Sequence, residues 1–222
     1  MRARLVTVLL LGVVATAAAQ TQTVIEDWSS HAVGSKGIPA GWTKQSWGSP
    51  QYNFVIAANG TQKVLHMQSA NEGSTISRDI KGKVNLKDTP LIEWSWKVVT
   101  LPKGGDSCKK ATDDQAAQVF VVWPRFPTQV RSRIIGYVWD TSEPAGTICK
   151  SEKTGTVTYV VIRSGANDLG KWFTERRNVI DDFRKIYGEE PDNPEALSIA
   201  IDSNDTNSTA ESMVGTILFR RP

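Results

Sequence analysis

Apolar and polar residues alternate along many short stretches of this chain. In the segment Leu91–Val99, the side chains of Ile92, Trp94, Trp96 and Val98 fall on one face, and charged or small polar side chains fall on the other. A period of two residues is that of a β-strand with one buried face. The pattern therefore predicts a strand here, with both tryptophans directed into a core.

Similar stretches recur along the chain, separated by loops rich in glycine and proline. They predict further strands at Thr23–Trp28, Gly41–Trp47, Tyr52–Ala57, Lys63–Gln68, Ser74–Ile80, Ala116–Trp123, Arg131–Asp140, Thr156–Ser164, Leu197–Asp202 and Met213–Phe219. So many strands with so little helix favour an all-β fold, in which two antiparallel sheets pack as a jelly-roll-like sandwich.

One segment has the pattern of a short helix, near residues 179–187. Asn178 is a suitable N-cap, Asp181 and Asp182 occupy the first turn, and Gly188 is a suitable stop. The apolar stripe of this helix should dock on the sandwich. The two aspartates could also be paired catalytic carboxylates, but the helix start accounts for them without chemistry.

The N-terminus has the order of features found in a signal peptide. Arg2 and Arg4 precede an apolar run over residues 5–15, and small residues at 17–19 complete an A-x-A cleavage site. The run is too short to span a bilayer, which needs about 20 residues, so an uncleaved anchor is disfavoured. We predict an exported protein, periplasmic or secreted, whose mature chain is a single domain over residues 20–222 without a transmembrane segment.

Two cysteines, Cys108 and Cys149, flank a predicted hairpin formed by the strands at 116–123 and 131–140. Both would lie at its open end, and an oxidising compartment favours a disulfide between them. A catalytic cysteine lacks support, because neither histidine of the chain is near in sequence.

Charge and motifs exclude several classes of function. Without Arg2 and Arg4 the chain has 24 basic and 23 acidic residues, so nothing in its net charge favours nucleic acid as a partner. The G-x-S-x-G and H-E-x-x-H motifs are absent, and no glycine-rich loop opens a helix. We therefore predict no organic cofactor.

Several short motifs together resemble one family. They are Tyr137-Val138-Trp139, Arg163-Ser164-Gly165, Trp172, Arg177-Asn178 followed by the helix, Asp202-Ser203-Asn204-Asp205-Thr206, and the closing strand Gly215–Phe219. In these motifs the chain resembles a family of bacterial exported proteins of unknown function, DUF3047. The resemblance implies a jelly-roll-like sandwich from a bacterial envelope or secretome, and it brings no established activity.

The candidate binding residues are aromatic or charged and lie at the ends of strands or in loops. They are Tyr137, Trp139, Arg163, Trp172, Arg177, Asp202, Asn204 and Asp205. An indole offers a flat apolar face to a sugar ring. An arginine that ends an apolar strand face needs a partner, so we expect Arg163 to lie with Asp202 or Asp205 in a groove beside Trp139 or Trp172. Alternatively, the same arginine and aspartate residues could form an internal network of ion pairs that only holds the loops in place.

The segment Asp202–Asn207 is also dense in the oxygen ligands that calcium prefers. Asp202, Asn204 and Asp205 could hold a calcium ion, although the spacing is not that of an EF-hand, because position six is Asn207 instead of glycine.

These residues favour an exported, non-catalytic binder of a polysaccharide or glycoconjugate. One alternative is a lyase, with Arg163 neutralising a uronate and Tyr137 or Tyr159 as the base. Another is a glycosidase, whose two carboxylates would come from Asp140, Asp202 and Asp205. In a third interpretation, the protein is a structural or interaction protein whose aromatic residues all belong to the core.

Overall fold

The computed structural model describes residues 22–222, so the predicted signal peptide lies outside the described part of the chain. This part contains thirteen strands and two α-helices. In chain order the strands are β1 Gln22–Glu26, β2 Thr43–Lys44, β3 Asn53–Asn59, β4 Gln62–Ala70, β5 Gly73–Asp79, β6 Leu91–Thr100, β7 Ala117–Trp123, β8 Arg133–Asp140, β9 Ile148–Lys150, β10 Val157–Ser164, β11 Phe173–Asn178, β12 Ala196–Asp202 and β13 Thr209–Arg220; the helices are α1 Thr128–Arg131 and α2 Val179–Tyr187.

The strands form two sheets that pack face to face, which confirms the predicted β-sandwich. The six-stranded sheet has the order β11-β6-β13-β4-β3, with β1 also paired to β13. The seven-stranded sheet has the order β2-β5-β12-β7-β8-β10-β9. The sequence pattern missed β9, which has only three residues, and β11, whose residues are mostly charged or polar.

One pair of strands departs from the predicted antiparallel arrangement. β10 is parallel to β8 and antiparallel to β9. After β8 the chain first forms β9 at the edge of the sheet and then returns as β10 between the two. β10 therefore runs in the same direction as β8, and the seven-stranded sheet is mixed.

The core between the sheets is rich in aromatic side chains. Trp94 and Trp96 are both fully buried, as their alternation with polar residues predicts. Across the interface, the ring of Tyr137 stacks on that of Trp94 with 5.2 Å between centroids, and Trp139 lies 6.1 Å from Trp96. Burial of each such side chain stabilises the fold by about 1.5–3 kcal/mol.

The predicted helix forms and docks as expected. Asn178 Oδ1 accepts hydrogen bonds from the backbone N–H groups of Ile180 and Asp181, and Gly188 ends the helix in the left-handed conformation. Phe183 is fully buried against Trp123, with 4.7 Å between their ring centroids.

The predicted hairpin and disulfide are both present. β7 and β8 pair antiparallel, and Cys108 is bonded to Cys149 with Sγ atoms 2.00 Å apart and Cα atoms 5.7 Å apart. The bond ties the loop before β7 to the edge strand β9. Within residues 22–222, no helix is both long and apolar enough to cross a membrane.

Candidate functional site

A row of residues in register crosses the middle of the seven-stranded sheet. Ser77 of β5 lies opposite Ser198 of β12, and Ser198 lies opposite Phe120 of β7. Phe120 lies opposite Gly136 of β8, which in turn lies opposite Tyr159 of β10. The row thus changes from hydroxyl groups to aromatic rings across five adjacent strands.

This row faces away from the core. Val119, Val121 and Val160, which adjoin it in sequence, belong to the core cluster between the sheets. Since successive side chains on a strand alternate between faces, the row lies on the outer face. The apolar residues of this outer face form a separate cluster of Val138, Val157, Tyr159 and Val161, with Phe120, Ile134 and Cys149 packed against it.

Gly136 allows the two aromatic rings to approach each other. A Cβ atom at this position would lie 2.7 Å from Phe120 Cε1 and 3.0 Å from Tyr159 Cδ1. Without that atom, the rings lean over the backbone of β8 with 6.4 Å between their centroids. Phe120 and Tyr159 thereby make a continuous apolar floor.

The segment between β2 and β3 forms a wall beside this floor. It carries Trp47, whose side chain is 63% exposed. Gln45 anchors the segment: its side-chain amide donates to the carbonyl of Trp47 over 2.8 Å, and its side-chain oxygen accepts from the backbone N–H of Thr75 over 2.6 Å. The backbone that carries the exposed indole is therefore held beside the sheet by the two hydrogen bonds of Gln45.

Floor and wall enclose an open groove of about 640 Å³, which we call the Trp47 groove. Its polar lining consists mainly of hydroxyl and amide side chains, with a charged end. The lining includes Gln45, Trp47, Glu72, Thr75, Ser77, Asp113, Gln118, Phe120, Ile134, Lys153, Thr154, Tyr159, Ser198, Asp202 and Asn204.

Carboxyl groups with shifted pKa values lie at the charged end. Burial, together with the neighbouring Asp114 carboxyl, raises the pKa of Asp202 to about 8. Burial also raises the pKa of Asp113, against the opposing effect of its hydrogen bonds from Gln115, Ser151 and Tyr159. Both groups therefore hold a proton more readily than an ordinary aspartate.

Two of the residues selected from sequence, Asp202 and Asn204, line the Trp47 groove. Asp205 follows them, but its carboxylate forms an ion pair of 2.5 Å with Lys153. Calcium binding by these three residues stays a prediction.

Three other residues selected from sequence, Tyr137, Trp139 and Arg177, make contacts that stabilise the fold. Tyr137 and Trp139 are fully buried, so neither can line an open groove, because their strand β8 directs both into the core. The Tyr137 hydroxyl donates to Asp182, and Arg177 binds the same carboxylate. Asp182 is thus more than a charge at the helix start, since it joins the helix to the core.

The predicted position of Arg163 is wrong, and a β-bulge is the reason. Strict alternation would place Arg163 on the same face as Tyr159 and Val161. The register of β10 shifts between Val161 and Arg163, which re-aims the arginine. Its guanidinium lies over the ring of Phe173, 3.3 Å from the centroid, and 5.7 Å from the centroid of Trp139.

The expected pairing of Arg163 with Asp202 or Asp205 is also wrong. Its Nε donates to Glu175 over 2.5 Å, and its Nη1 lies 3.4 Å from a carboxylate oxygen of Asp168. The bulge turns the side chain towards β11, the edge strand of the other sheet. The arrangement that a lyase would need, Arg163 beside Tyr137 or Tyr159, is therefore not formed.

The eighth selected residue, Trp172, lies on the opposite side of the molecule. It lines a second groove, of about 510 Å³, on the outer face of the six-stranded sheet. The sequence-based prediction of one shared groove is therefore replaced by two separate surfaces.

Sequence reasoning missed Trp47 and Phe120 as groove residues and considered Tyr159 only as the base of a lyase. One signal was available: Trp47 stands between serine and glycine in a turn-forming segment, Gln45–Pro50, where an indole has no core to enter. A second signal was the predicted strand Thr156–Ser164, which has apolar residues on both faces. One of these faces is open to the groove.

Comparisons with solved structures find several similar chains. One is a family 11 carbohydrate-binding module from Clostridium thermocellum in complex with a β-1,3-1,4-mixed-linked tetrasaccharide, with 11% identity and a TM-score of 0.49 over 92% of this chain and 98% of that chain. Another is the CBM22-1 xylan-binding domain of Paenibacillus barcinonensis Xyn10C, with 12% identity and a TM-score of 0.41 over 92% and 97%. No curated protein matches the sequence. A family model matches residues 40–218, and by this match the chain belongs to the family of proteins of unknown function DUF3047.

Proposed function

We propose that the Trp47 groove binds an uncharged polysaccharide or glycoconjugate and does not cleave it. The observation that carries the proposal is the exposed Trp47 indole, which lines the same groove as the floor formed by Phe120 and Tyr159. Flat aromatic faces bind the apolar face of a sugar ring at low entropic cost. In the same lining, Ser77 and Gln118 offer hydroxyl and amide groups that match sugar hydroxyls.

The charges in the groove support an uncharged ligand over a uronate. Glu72, Asp113 and Asp202 all belong to the lining, whereas its single lysine, Lys153, is paired with Asp205. An anionic ligand would meet further carboxyl groups here and no available guanidinium. The arginine expected from sequence to grip an acidic sugar lies elsewhere.

The contacts of Asp113 support binding without catalysis. This aspartate is only 4% exposed, and its carboxylate oxygens already accept hydrogen bonds from Gln115, Ser151 and Tyr159. A general base needs a free oxygen within reach of its water or substrate. Asp140 is fully enclosed and accepts from backbone N–H groups such as that of Ser107, so it stabilises a loop.

The proposed location is outside the cytoplasm, after cleavage near Ala19. The disulfide between Cys108 and Cys149 supports this, because such bonds persist in oxidising compartments. The exported protein would then meet glycans of the bacterial envelope or its surroundings.

Binding of soluble neutral glucans, xylans and mannans, measured by calorimetry, tests the proposal. Loss of one stacked aromatic side chain costs about 0.5–1.5 kcal/mol, so Trp47→Ala should weaken binding by up to about tenfold. Trp172→Ala, which removes an indole from the opposite face, is the matched control and should leave this affinity unchanged. Binding that is equal in the wild type and Trp47→Ala, or absent for every neutral polymer, would contradict the proposal.

A glycosidase is the second candidate, and the pKa of Asp202 is what favours it. A carboxyl group with a pKa of about 8 in a groove is protonated at neutral pH, as a general acid must be. Reducing-end release from any polymer that binds would identify this activity, and Asp202→Asn should abolish it. If bound polymers stay intact, the protein is a binder.

A further inference from the structure

One side of the groove that contains Trp172 is formed by two adjacent strands, β6 and β11, whose outward residues lie side by side. On β6 these are Lys97, Ser95 and Glu93, and on β11 the outward residues continue from Thr174 to Arg176. Thr174 is in register with Ser95, and Arg176 with Glu93. We call this surface, together with Trp172 just before β11, the Trp172 groove.

A bulge in the neighbouring strand β13 shapes the floor of the Trp172 groove. The register with β6 shifts between Val214 and Ile217. Gly215 lies within this bulge, against Ser95, where any Cβ atom would collide with the serine hydroxyl. The missing side chain leaves Thr216 beside Ser95 in the lining. Hydroxyl groups therefore occupy the centre of the groove.

Cationic groups stand at both ends of these hydroxyls. At one end, the Lys97 ammonium lies 5.5 Å from the centroid of the Trp172 ring. At the other end, Arg176 donates twice to a single oxygen of Glu93, over 2.9 and 2.6 Å, and Arg220 approaches the same oxygen at 3.4 Å. Two guanidinium groups thus share one carboxylate oxygen, and both keep donors that Glu93 cannot use.

We infer that the Trp172 groove binds an acidic oligosaccharide, separately from the ligand of the Trp47 groove. Trp172 would stack on a sugar ring, the central hydroxyls would bond to sugar hydroxyls, and the cationic ends would bind carboxylate or sulfate groups. The ends are separated by four residues of β11, which corresponds to about 13 Å along an extended strand. That length suits an oligosaccharide with more than one acidic group.

The two grooves differ in the ionisable groups that line or flank them. The Trp47 groove is lined by several carboxyl groups, and its lysine is already paired, whereas three cations, Lys97, Arg176 and Arg220, flank the single lining carboxylate of the Trp172 groove, Glu93. The grooves lie on the outer faces of different sheets, so two different polysaccharide chains can bind to the protein at the same time. Such a protein would link a neutral polysaccharide to an acidic one.

The test is calorimetric titration of the full protein with oligogalacturonate and with a heparin-derived oligosaccharide. We expect at least one probe to bind, with an affinity that falls as salt rises. Arg176→Gln and Trp172→Ala should each weaken that binding about tenfold. Trp47→Ala should leave it unchanged, as should Lys110→Gln, which removes an exposed cation elsewhere on the surface.

Each contrary result would overturn the inference. It fails if neither probe binds the wild type, if Trp47→Ala removes the binding, or if Lys110→Gln weakens it as much as Arg176→Gln does. It also fails if a bound neutral polysaccharide blocks the acidic probe. Melting temperatures equal to that of the wild type establish that each variant is folded. Because neutral and acidic ligands are titrated separately, failure here leaves the proposal for the Trp47 groove standing.

Discussion

The carboxyl group of Asp202 couples the charged end of the Trp47 groove to pH. Its pKa rises from 3.8 to about 8 on folding. Between these values the folded state holds a proton that the unfolded state has released, so the contribution of Asp202 to stability is lost as pH rises through this window. The Asp202 carboxyl therefore adds a negative charge to this end of the groove only when the pH approaches about 8.

Asp202→Asn should flatten this dependence, because an amide does not titrate and imitates the protonated acid. We expect the variant to lose less stability than the wild type between about pH 5 and about pH 9. Urea unfolding at several pH values measures the difference. Parallel curves for the two proteins would show that Asp202 keeps an ordinary pKa.

At the scale of the element, α2 depends on its first residues. Asn178 caps the helix through two backbone N–H groups, and Asp182 fastens it to Arg177 and Tyr137. Asn178→Ala should lower the free energy of unfolding by about 1 kcal/mol, because two N–H groups lose their acceptor. Denaturant unfolding checks this value, with Asn178→Asp as the control that keeps an acceptor. Affinity for glycans should not change, and an unchanged stability together with lost binding would mean that Asn178 contacts a ligand.

At the scale of the whole molecule, the disulfide joins segments 41 residues apart in sequence. A crosslink of this span stabilises mainly by restricting the unfolded chain, by about 4 kcal/mol. The double variant Cys108→Ser with Cys149→Ser should therefore unfold at a lower denaturant concentration. A reductant should destabilise the wild type similarly and leave the double variant unchanged. Equal stability of the oxidised wild type and the variant would contradict this account.

The sequence by itself determined the features that depend on local order. The alternation around Trp94 and Trp96 predicted a strand with two buried indoles, and Asn178 and Gly188 bounded the helix, because periodicity and capping involve neighbours in the chain. The cysteine pair also followed from a local hairpin.

Only the tertiary structure decided where the binding surfaces lie. Trp47, Phe120 and Tyr159 come from separate segments: strand register brings Phe120 and Tyr159 together over Gly136, and the segment between β2 and β3 places Trp47 in the same groove. A single bulge turned Arg163 away from the face that alternation gave it, since one extra residue reverses the direction of every side chain that follows. Strand pairing and bulges are set by contacts between distant segments, so no local pattern in the sequence could reveal them.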